Sequence, residues 1–166
     1  MNIKKSTILL FTHGKIISDR LPYYNVYNPN IILQSKNMSI EHIIPKRLFN
    51  NKKHAHDILN LVSCDKYCNS FRSDYRYGDI ASEDMICIEY GCISRTHRIF
   101  MPSRMADYGL LSRSIISMLH KYPYLYTKLD QIVQYPYLLD KWSNYPISEY
   151  ENKRNELYII INQDKL

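Results

Sequence analysis

The segment that decides the fold, residues 39–78, reads SIEHIIPKRLFNNKKHAHDILNLVSCDKYCNSFRSDYRYG. It contains two short apolar runs, at residues 39–44 and 58–62, that are bounded by polar residues or by proline, as is typical of β-strands. The stretch from residue 64 to about residue 73 is polar and contains no helix breaker, so it permits a short helix. The segment therefore predicts two strands followed by one helix.

Several side chains of this segment could carry chemistry, because the predicted elements can bring them together. Glu41 and His42 end the first strand and Asn60 lies on the second, whereas Asn69 and Arg72 fall on the helix. Hydrolysis of a phosphodiester needs a base that activates water and a cation that offsets charge on the phosphate. A neutral histidine suits the first task, and carboxylate and amide oxygens suit Mg²⁺. Taken singly, the same residues could be ordinary surface, turn or cap residues.

The charge of the chain favours a polyanionic partner. The 166 residues contain 22 Lys and Arg against 16 Asp and Glu, which gives a formal charge of +6. Residues 1–104 hold 15 basic and 9 acidic side chains, whereas residues 105–166 hold 7 of each. A local excess of this kind attracts nucleic acid, although a solvated basic surface would look the same. No apolar run approaches the roughly 18 residues of a membrane span, which argues against a transmembrane protein.

The rest of the chain predicts further strands and then helices within one domain, residues 1–166. Residues 31–33 are strand-like, and residues 85–88 and 92–94 could form a hairpin or a loop. Helical spacing of apolar residues runs through residues 103–122 and stops at Pro123. Two more helices are predicted. They cover residues 126–135 and a stretch from Ser148, where Ser148 and Glu151 form a capping box.

Three blocks of the sequence are similar to the endonuclease I family of ββα-metal (His-Me finger) nucleases, relatives of the HNH enzymes. Residues 40–49, 57–61 and 69–78 resemble its patterns E-H-x-x-P-x-S-x-F, D-L-H-N-L and N-x-x-R-S-N-x-x-x-G. Further similarity follows in the same order at residues 100–102, 112–122 and 139–155. Three ordered blocks are much more specific than any single one.

The resemblance implies a fold and a set of roles. The fold is α+β, with a ββα-metal core at about residues 38–78 and additional helices, mainly C-terminal, at about residues 103–163. His42 would be the general base, and Glu41 and Asn69 would hold one divalent metal ion, Mg²⁺ before Mn²⁺ or Ca²⁺. Asn60 would pin the loop between the two strands, and Arg72 would contact a phosphate.

The implied activity is that of a hydrolase, a metal-dependent endonuclease that cuts DNA and also RNA with little sequence specificity, leaving 5′-phosphate and 3′-hydroxyl ends. Two alternatives stay open. One is a catalytically silent nucleic-acid-binding or structural protein that retains the nuclease fold. The other is a homing or junction-resolving enzyme with real selectivity. The sequence names no protein partner.

Three residues depart from the family pattern. Leu59 stands where the family has histidine, Asp74 where it has asparagine, and Arg47 where it has serine. The departures leave the base and both metal ligands in place. Asp74 adds a negative charge near the expected phosphate path and is expected to weaken binding. Two further histidines, His54 and His56, lie between the predicted strands and could touch the substrate.

The cysteines are too few and too clustered for a disulfide scaffold. Some HNH relatives carry a structural Zn²⁺, but neither cysteine pair here has the tight C-x-x-C spacing that makes such a site convincing. We therefore expect reduced, buried cysteines and no structural Zn²⁺. The four cysteines are Cys64, Cys68, Cys87 and Cys92.

The start of the chain does not predict a signal peptide, because its apolar stretch breaks too early. We therefore expect an intracellular location, with virus or particle association also open.

Overall fold

The computed structural model describes residues 21, 24–30, 34–81 and 83–163. The strand predicted at residues 31–33 lies outside these residues. In the segment that opens the fold, two antiparallel strands pair so that Glu41 faces Val62 and His42 faces Leu61. The elements are β1 (Met38–His42), a 3-10 turn (Lys46–Leu48), α1 (Lys52–Ala55), a second 3-10 turn (Ile58–Asn60), β2 (Leu61–Asp65) and α2 (Lys66–Arg72).

The predicted order of two strands and one helix is confirmed, but the second strand begins later than expected. The Asp57 carboxylate accepts a hydrogen bond from Leu59 N at 3.1 Å and caps the 3-10 turn Ile58–Asn60. This turn occupies the first three residues of the predicted strand. Asn60 therefore precedes β2 instead of lying on it. Asp65, at the end of β2, caps α2 by accepting from Tyr67 N at 2.8 Å and Cys68 N at 3.0 Å.

A second sheet follows. It contains a hairpin where the sequence predicted either a hairpin or a loop. The strands are β3 (Arg76–Tyr77), β4 (Met85–Ile88), β5 (Gly91–Ser94) and β6 (Ile99–Pro102). Their order in the sheet is β3-β6-β5-β4, with β3 parallel to β6 and the other pairs antiparallel. Gly91 begins β5 at φ 155°, where an added Cβ would lie 2.6 Å from Met101 O, so the hairpin requires glycine there.

The hairpin corrects the expectation that all four cysteines are reduced and buried. Cys87 on β4 lies directly opposite Cys92 on β5, with 4.0 Å between their Cα atoms, and the two form a disulfide. Cys64 and Cys68 are free and buried, as expected. The antiparallel register explains the difference, because it places one cysteine pair side by side. Thiols joined in this way are not zinc ligands.

The C-terminal part is helical, as predicted. The helical stretch predicted at residues 126–135 is confirmed in part, because a 3-10 helix begins earlier, at Pro123, and ends at Gln131, before the buried Ile132 and Val133. The elements are α3 (Tyr108–Lys121), the 3-10 helix (Pro123–Gln131), α4 (Tyr137–Ser143) and α5 (Glu149–Gln163).

The helix near Ser148 is confirmed, and its cap is half of the predicted box. Ser148 Oγ accepts from Glu151 N at 3.1 Å. The Glu151 carboxylate turns instead to Arg113 on α3, with Arg113 Nε at 2.8 Å and Nη2 at 2.6 Å. This ion pair ties α5 to α3.

The strand pair and the C-terminal helices share one apolar core. Ile43, Ile44 and Val62 belong to the same buried cluster as Leu111 and Ile115 of α3. Polar contacts reinforce the joint, since Tyr150 OH lies 3.2 Å from Ser63 N and Lys121 Nζ donates to Asp57 at 2.6 Å. The C-terminal helices therefore fix the strand pair that carries the predicted site. Among the helices described, none combines the length and apolar character that a membrane crossing requires.

Candidate active site

Four of the five predicted site residues are linked through β1. Glu41 and His42 are its last two residues, and α2 packs against the same strand. From α2, Asn69 Nδ2 donates to Ile40 O at 3.1 Å and Arg72 Nη1 donates to His42 O at 2.9 Å. The fold therefore places the predicted base and both predicted metal ligands on β1 or directly against it.

Arg72 and Glu41 form a buried ion pair. Arg72 Nη1 donates to Glu41 Oε1, and Nη2 donates to Ile43 O at 2.9 Å. The two side chains are 1% and 2% exposed. A direct contact with a substrate phosphate requires an exposed guanidinium, so this geometry favours support of Glu41 over the phosphate contact predicted for Arg72.

Two buried tyrosines complete this network, and the sequence did not identify either. Tyr27 OH donates to Glu41 Oε1 at 3.0 Å and lies 3.1 Å from Tyr77 OH. The Arg72 guanidinium stacks over the Tyr77 ring at 4.5 Å. Tyr27 precedes Glu41 by 14 residues and comes from a different part of the fold. No local pattern marks such a contact.

The environment of Glu41 acts on its charge in two opposed ways. Burial raises the pKa of the Glu41 carboxyl above its usual range, whereas the Arg72 guanidinium and the Tyr27 hydroxyl oppose that shift. Burial alone would lower the pKa of Arg72, but the Glu41 carboxylate raises it above its usual range. Arg72 therefore stays charged beside the Glu41 carboxyl.

His42 is partly buried and neutral at pH 7. Burial lowers its pKa to about 3, and the neighbouring Lys46, His56 and Arg72 act in the same direction. Its Nε2 lies 3.0 Å from Nδ1 of His56, and the two rings meet edge to face with centroids 5.0 Å apart. One ring nitrogen of His42 is thus engaged by a second histidine, which leaves Nδ1 as the atom that can take a proton.

Only one of the two loop histidines approaches the candidate base. His54 instead stacks on Tyr122 at a centroid distance of 4.2 Å, and its Nδ1 lies 3.0 Å from Tyr124 OH. From the sequence, both histidines were expected only to be able to touch the substrate. Their different partners follow from α1, which turns neighbouring side chains in different directions.

The two asparagines have distinct environments. Asn69 Nδ2 donates to Ser39 Oγ at 3.0 Å as well as to the β1 backbone, so its carbonyl oxygen Oδ1 is the atom that could bind a cation. Asn60 is fully buried. Its Oδ1 accepts from Ile44 N at 2.8 Å, and its Nδ2 donates to Ile44 O at 3.1 Å and Ala55 O at 2.9 Å. Asn60 therefore joins the segment after β1 to the end of α1.

The donor atoms available for a metal ion are few but chemically suitable. Across the described part of the chain, no group of three or more His, Cys, Asp and Glu side chains could hold a metal. The contacts from Arg72 and Tyr27 both fall on Glu41 Oε1. A cation could therefore use Glu41 Oε2 and Asn69 Oδ1, which are hard oxygen ligands. Mg²⁺ accepts such a small protein set because it retains water and binds phosphate oxygens.

Two of the three departures from the family pattern contact each other. Arg47 Nε donates to Asp74 Oδ2 at 2.5 Å, and Arg98 Nη2 donates to Asp74 Oδ1. Slight burial acts to raise the pKa of Asp74, but the two guanidinium groups hold it below its usual range. The negative charge that Asp74 adds is therefore neutralised locally. The third departure, Leu59, packs its partly buried side chain against the core.

Comparison with known proteins bears on the same part of the chain. The family model for Endonuclease I matches residues 16–98, which is 83 of the 166 residues. The matched range includes β1, β2 and α2, and with them all five predicted site residues. A search of curated proteins found no match.

Proposed function

The chain belongs to the endonuclease I family, and from this premise we propose that it is a metal-dependent endonuclease of DNA, and of RNA as well, with little sequence specificity. Its products would carry 5′-phosphate and 3′-hydroxyl ends. The observation that carries the proposal is the neutral imidazole of His42 beside Glu41 at the end of β1, with Asn69 held against the same strand. This set supplies a base and two hard oxygen ligands within a basic protein.

His42 is the proposed general base, and Nδ1 is the atom that takes the proton from the attacking water. For this, His42 must carry its own hydrogen on Nε2 and donate it to His56 Nδ1, 3.0 Å away. His56 must then be protonated on Nε2. The two histidines thus fix one another's tautomer, which is the form that leaves the His42 lone pair directed at the substrate.

Glu41 Oε2 and Asn69 Oδ1 would hold the divalent cation. When bound, such a cation offsets charge on the scissile phosphate and on the leaving 3′ oxygen. Arg72 and Tyr27 orient the Glu41 carboxylate by binding its other oxygen. Asn60 holds the backbone after β1 through three hydrogen bonds, so the strand end that carries His42 keeps its position.

A plasmid-cleavage assay tests the proposal. We assay three proteins, each in Mg²⁺, in Mn²⁺ and in excess EDTA. They are wild type, His42→Ala and the control His54→Ala. We expect wild type and His54→Ala to nick and linearise the plasmid, and EDTA to stop both. Loss of the base in His42→Ala should slow cleavage by about 10²- to 10⁴-fold, with DNA binding retained.

Two results would contradict the proposal in different ways. Chelator-sensitive cleavage at the wild-type rate by His42→Ala would remove His42 from the mechanism. A wild-type protein that shifts the plasmid on a gel but never cuts it with either metal would favour the silent nucleic-acid-binding protein. A cleavage map on several DNA and RNA substrates then separates low specificity from the selectivity of a homing or junction-resolving enzyme.

A further inference from the structure

An open cleft is lined by three arginines that come from separate segments of the chain. Arg47 follows β1, Arg76 begins β3, and Arg98 lies in the turn between β5 and β6. Two acidic residues, Asp74 and Asp130, line the same cleft together with His97 and Gln131. We refer to these seven residues as the arginine cleft. None of the five predicted active-site residues lines it.

Arg47 and Arg98 are arranged around the carboxylate of Asp74. Arg47 binds one oxygen of Asp74 and Arg98 binds the other. Arginines bind the oxygens of a phosphate through the same kind of contact. Arg47 is 44% exposed and Arg98 is 57% exposed, so both can also reach an anion from solution. Surface ion pairs of this kind contribute little to stability, and a phosphate can replace the carboxylate.

The cleft holds its arginines in position through the surrounding fold. Arg47 Nη1 donates to Gln131 Oε1 at 2.9 Å, and the Arg98 guanidinium stacks over Tyr75 at 5.0 Å. Arg76 Nη1 donates to Asp130 O at 3.0 Å, while its Nε is buried and has no hydrogen-bond partner within the described residues. Held guanidinium groups lose less freedom on binding than free surface side chains.

We propose that the arginine cleft binds a phosphodiester group of the nucleic-acid strand, away from the bond that is cut, and that Asp74 occupies the same arginines when no strand is bound. The class of polymer rests on the proposed function. Asp74 is then an internal competitor that weakens binding to the strand and lets it leave sooner. Arg47 and Asp74, both departures from the family pattern, are direct partners in this cleft.

The test is fluorescence anisotropy with a short labelled DNA duplex, in EDTA so that no cleavage occurs, over 50–200 mM NaCl. The variants are Arg98→Ala and Asp74→Asn, and the matched control is Arg95→Ala, an exposed arginine outside the cleft. Losing one phosphate contact should weaken binding about tenfold at low salt and reduce the slope of log K against log salt by about one. Asp74→Asn should bind more tightly than wild type, and Arg95→Ala should change affinity by less than about twofold.

Other outcomes would contradict the cleft proposal but would not contradict the proposed nuclease activity. If Arg98→Ala and Arg95→Ala weaken binding equally, or if Asp74→Asn does not bind more tightly, the cleft is not the phosphate site. Cleavage by wild type and its dependence on His42 would be unaffected by that result. Competition with inorganic phosphate separates the two sources of the ligand. If phosphate binds wild type but not Arg98→Ala in calorimetry and yet does not displace the duplex, the cleft takes a free phosphate group and the assignment to a strand backbone fails.

Discussion

The proposed function gives Glu41 two roles that constrain each other, since the carboxylate that would offer an oxygen to a cation also pairs with a buried arginine. Taking an ion out of water costs several kcal/mol unless a partner and further hydrogen bonds compensate for the lost hydration. Arg72 has such compensation from Glu41 and from the carbonyls of His42 and Ile43. The geometry of the candidate metal ligand therefore depends on an ion pair that also stabilises the fold.

Arg72→Met tests this dual role. Removing the guanidinium leaves the Glu41 carboxylate buried without its cation, and we expect the free energy of unfolding to fall by about 3–5 kcal/mol. Urea unfolding measures the loss, with the exposed Arg98→Met as control. If Arg72 contacted a substrate phosphate instead, its loss would weaken DNA binding and leave the free energy of unfolding unchanged. If Arg72→Met unfolds like wild type but binds DNA more weakly, Arg72 acts on the substrate and not on Glu41.

Two substitutions at His56 separate its contribution to cleavage from that of His42, the proposed general base. His56→Ala removes the acceptor of the His42 Nε2 hydrogen bond, whereas His56→Asn keeps a side-chain acceptor near the same place. We expect His56→Ala to lower kcat by about 10- to 100-fold with KM little changed, and His56→Asn to recover part of the loss.

The ¹⁵N chemical shifts of His42 provide a readout that a merely structural role would not move. They should report hydrogen on Nε2 in wild type and a mixture of tautomers in His56→Ala. His54→Ala, which alters the neighbouring histidine held by Tyr124, is the control. Wild-type kcat together with unchanged His42 shifts in His56→Ala would remove His56 from the mechanism.

Elements with strong local signals were predictable from the sequence, and those set by distant contacts were not. Pro45 and Pro123 mark the ends of β1 and α3 closely, because proline interrupts backbone hydrogen bonding. The 3-10 turn Ile58–Asn60 has the composition of a strand, and only the Asp57 cap decides its form. Within the site, the motifs identified Glu41, His42 and Asn69. Tyr27, Tyr77 and His56 were missed because folding alone brings them to those residues.

The β4-β5 hairpin is the element most sensitive to redox conditions. The disulfide closes a loop with a sequence separation of 5, for which the loop-entropy relation gives a stabilisation of about 2 kcal/mol. We expect Cys87→Ser combined with Cys92→Ser to lower Tm, and dithiothreitol to lower the Tm of wild type by a similar amount. The double variant should not respond to the reductant, because Cys64 and Cys68 are free thiols. A wild-type Tm that is indifferent to reductant would show that the bond is absent.

The stability of the candidate site is tied to that of the molecule, because the strand pair that carries it shares one apolar core with the C-terminal helices. Arg154 on α5 is buried and donates to Ser114 Oγ on α3 at 2.8 Å, and it reaches Leu59 O at 3.4 Å. His42, at the end of β1, is only partly exposed, and its partly buried surroundings are lost when this shared core unfolds. The protonation of His42 is consequently linked to global unfolding.

This linkage predicts how stability depends on pH. In the unfolded chain His42 takes up a proton near its ordinary pKa of 6.5, whereas in the folded protein it does so only near pH 3. Below about pH 6.5 the unfolded state therefore binds more protons, and the free energy of unfolding falls as pH decreases, by up to about 1.4 kcal/mol per pH unit from this group. Above pH 6.5 the contribution is complete.

Urea unfolding of wild type and His42→Asn between pH 7 and pH 4 isolates this contribution. Carboxylates and histidines that do not contact His42 titrate in both proteins, so they cancel in the difference between the two pH profiles. We expect the wild type to lose stability more steeply than His42→Asn as the pH falls below 6.5, since asparagine cannot take up a proton. Parallel profiles would mean that His42 titrates alike in the folded and unfolded states. The imidazole would then be well hydrated, and the desolvated neutral base on which the proposed mechanism depends would not exist in the free protein.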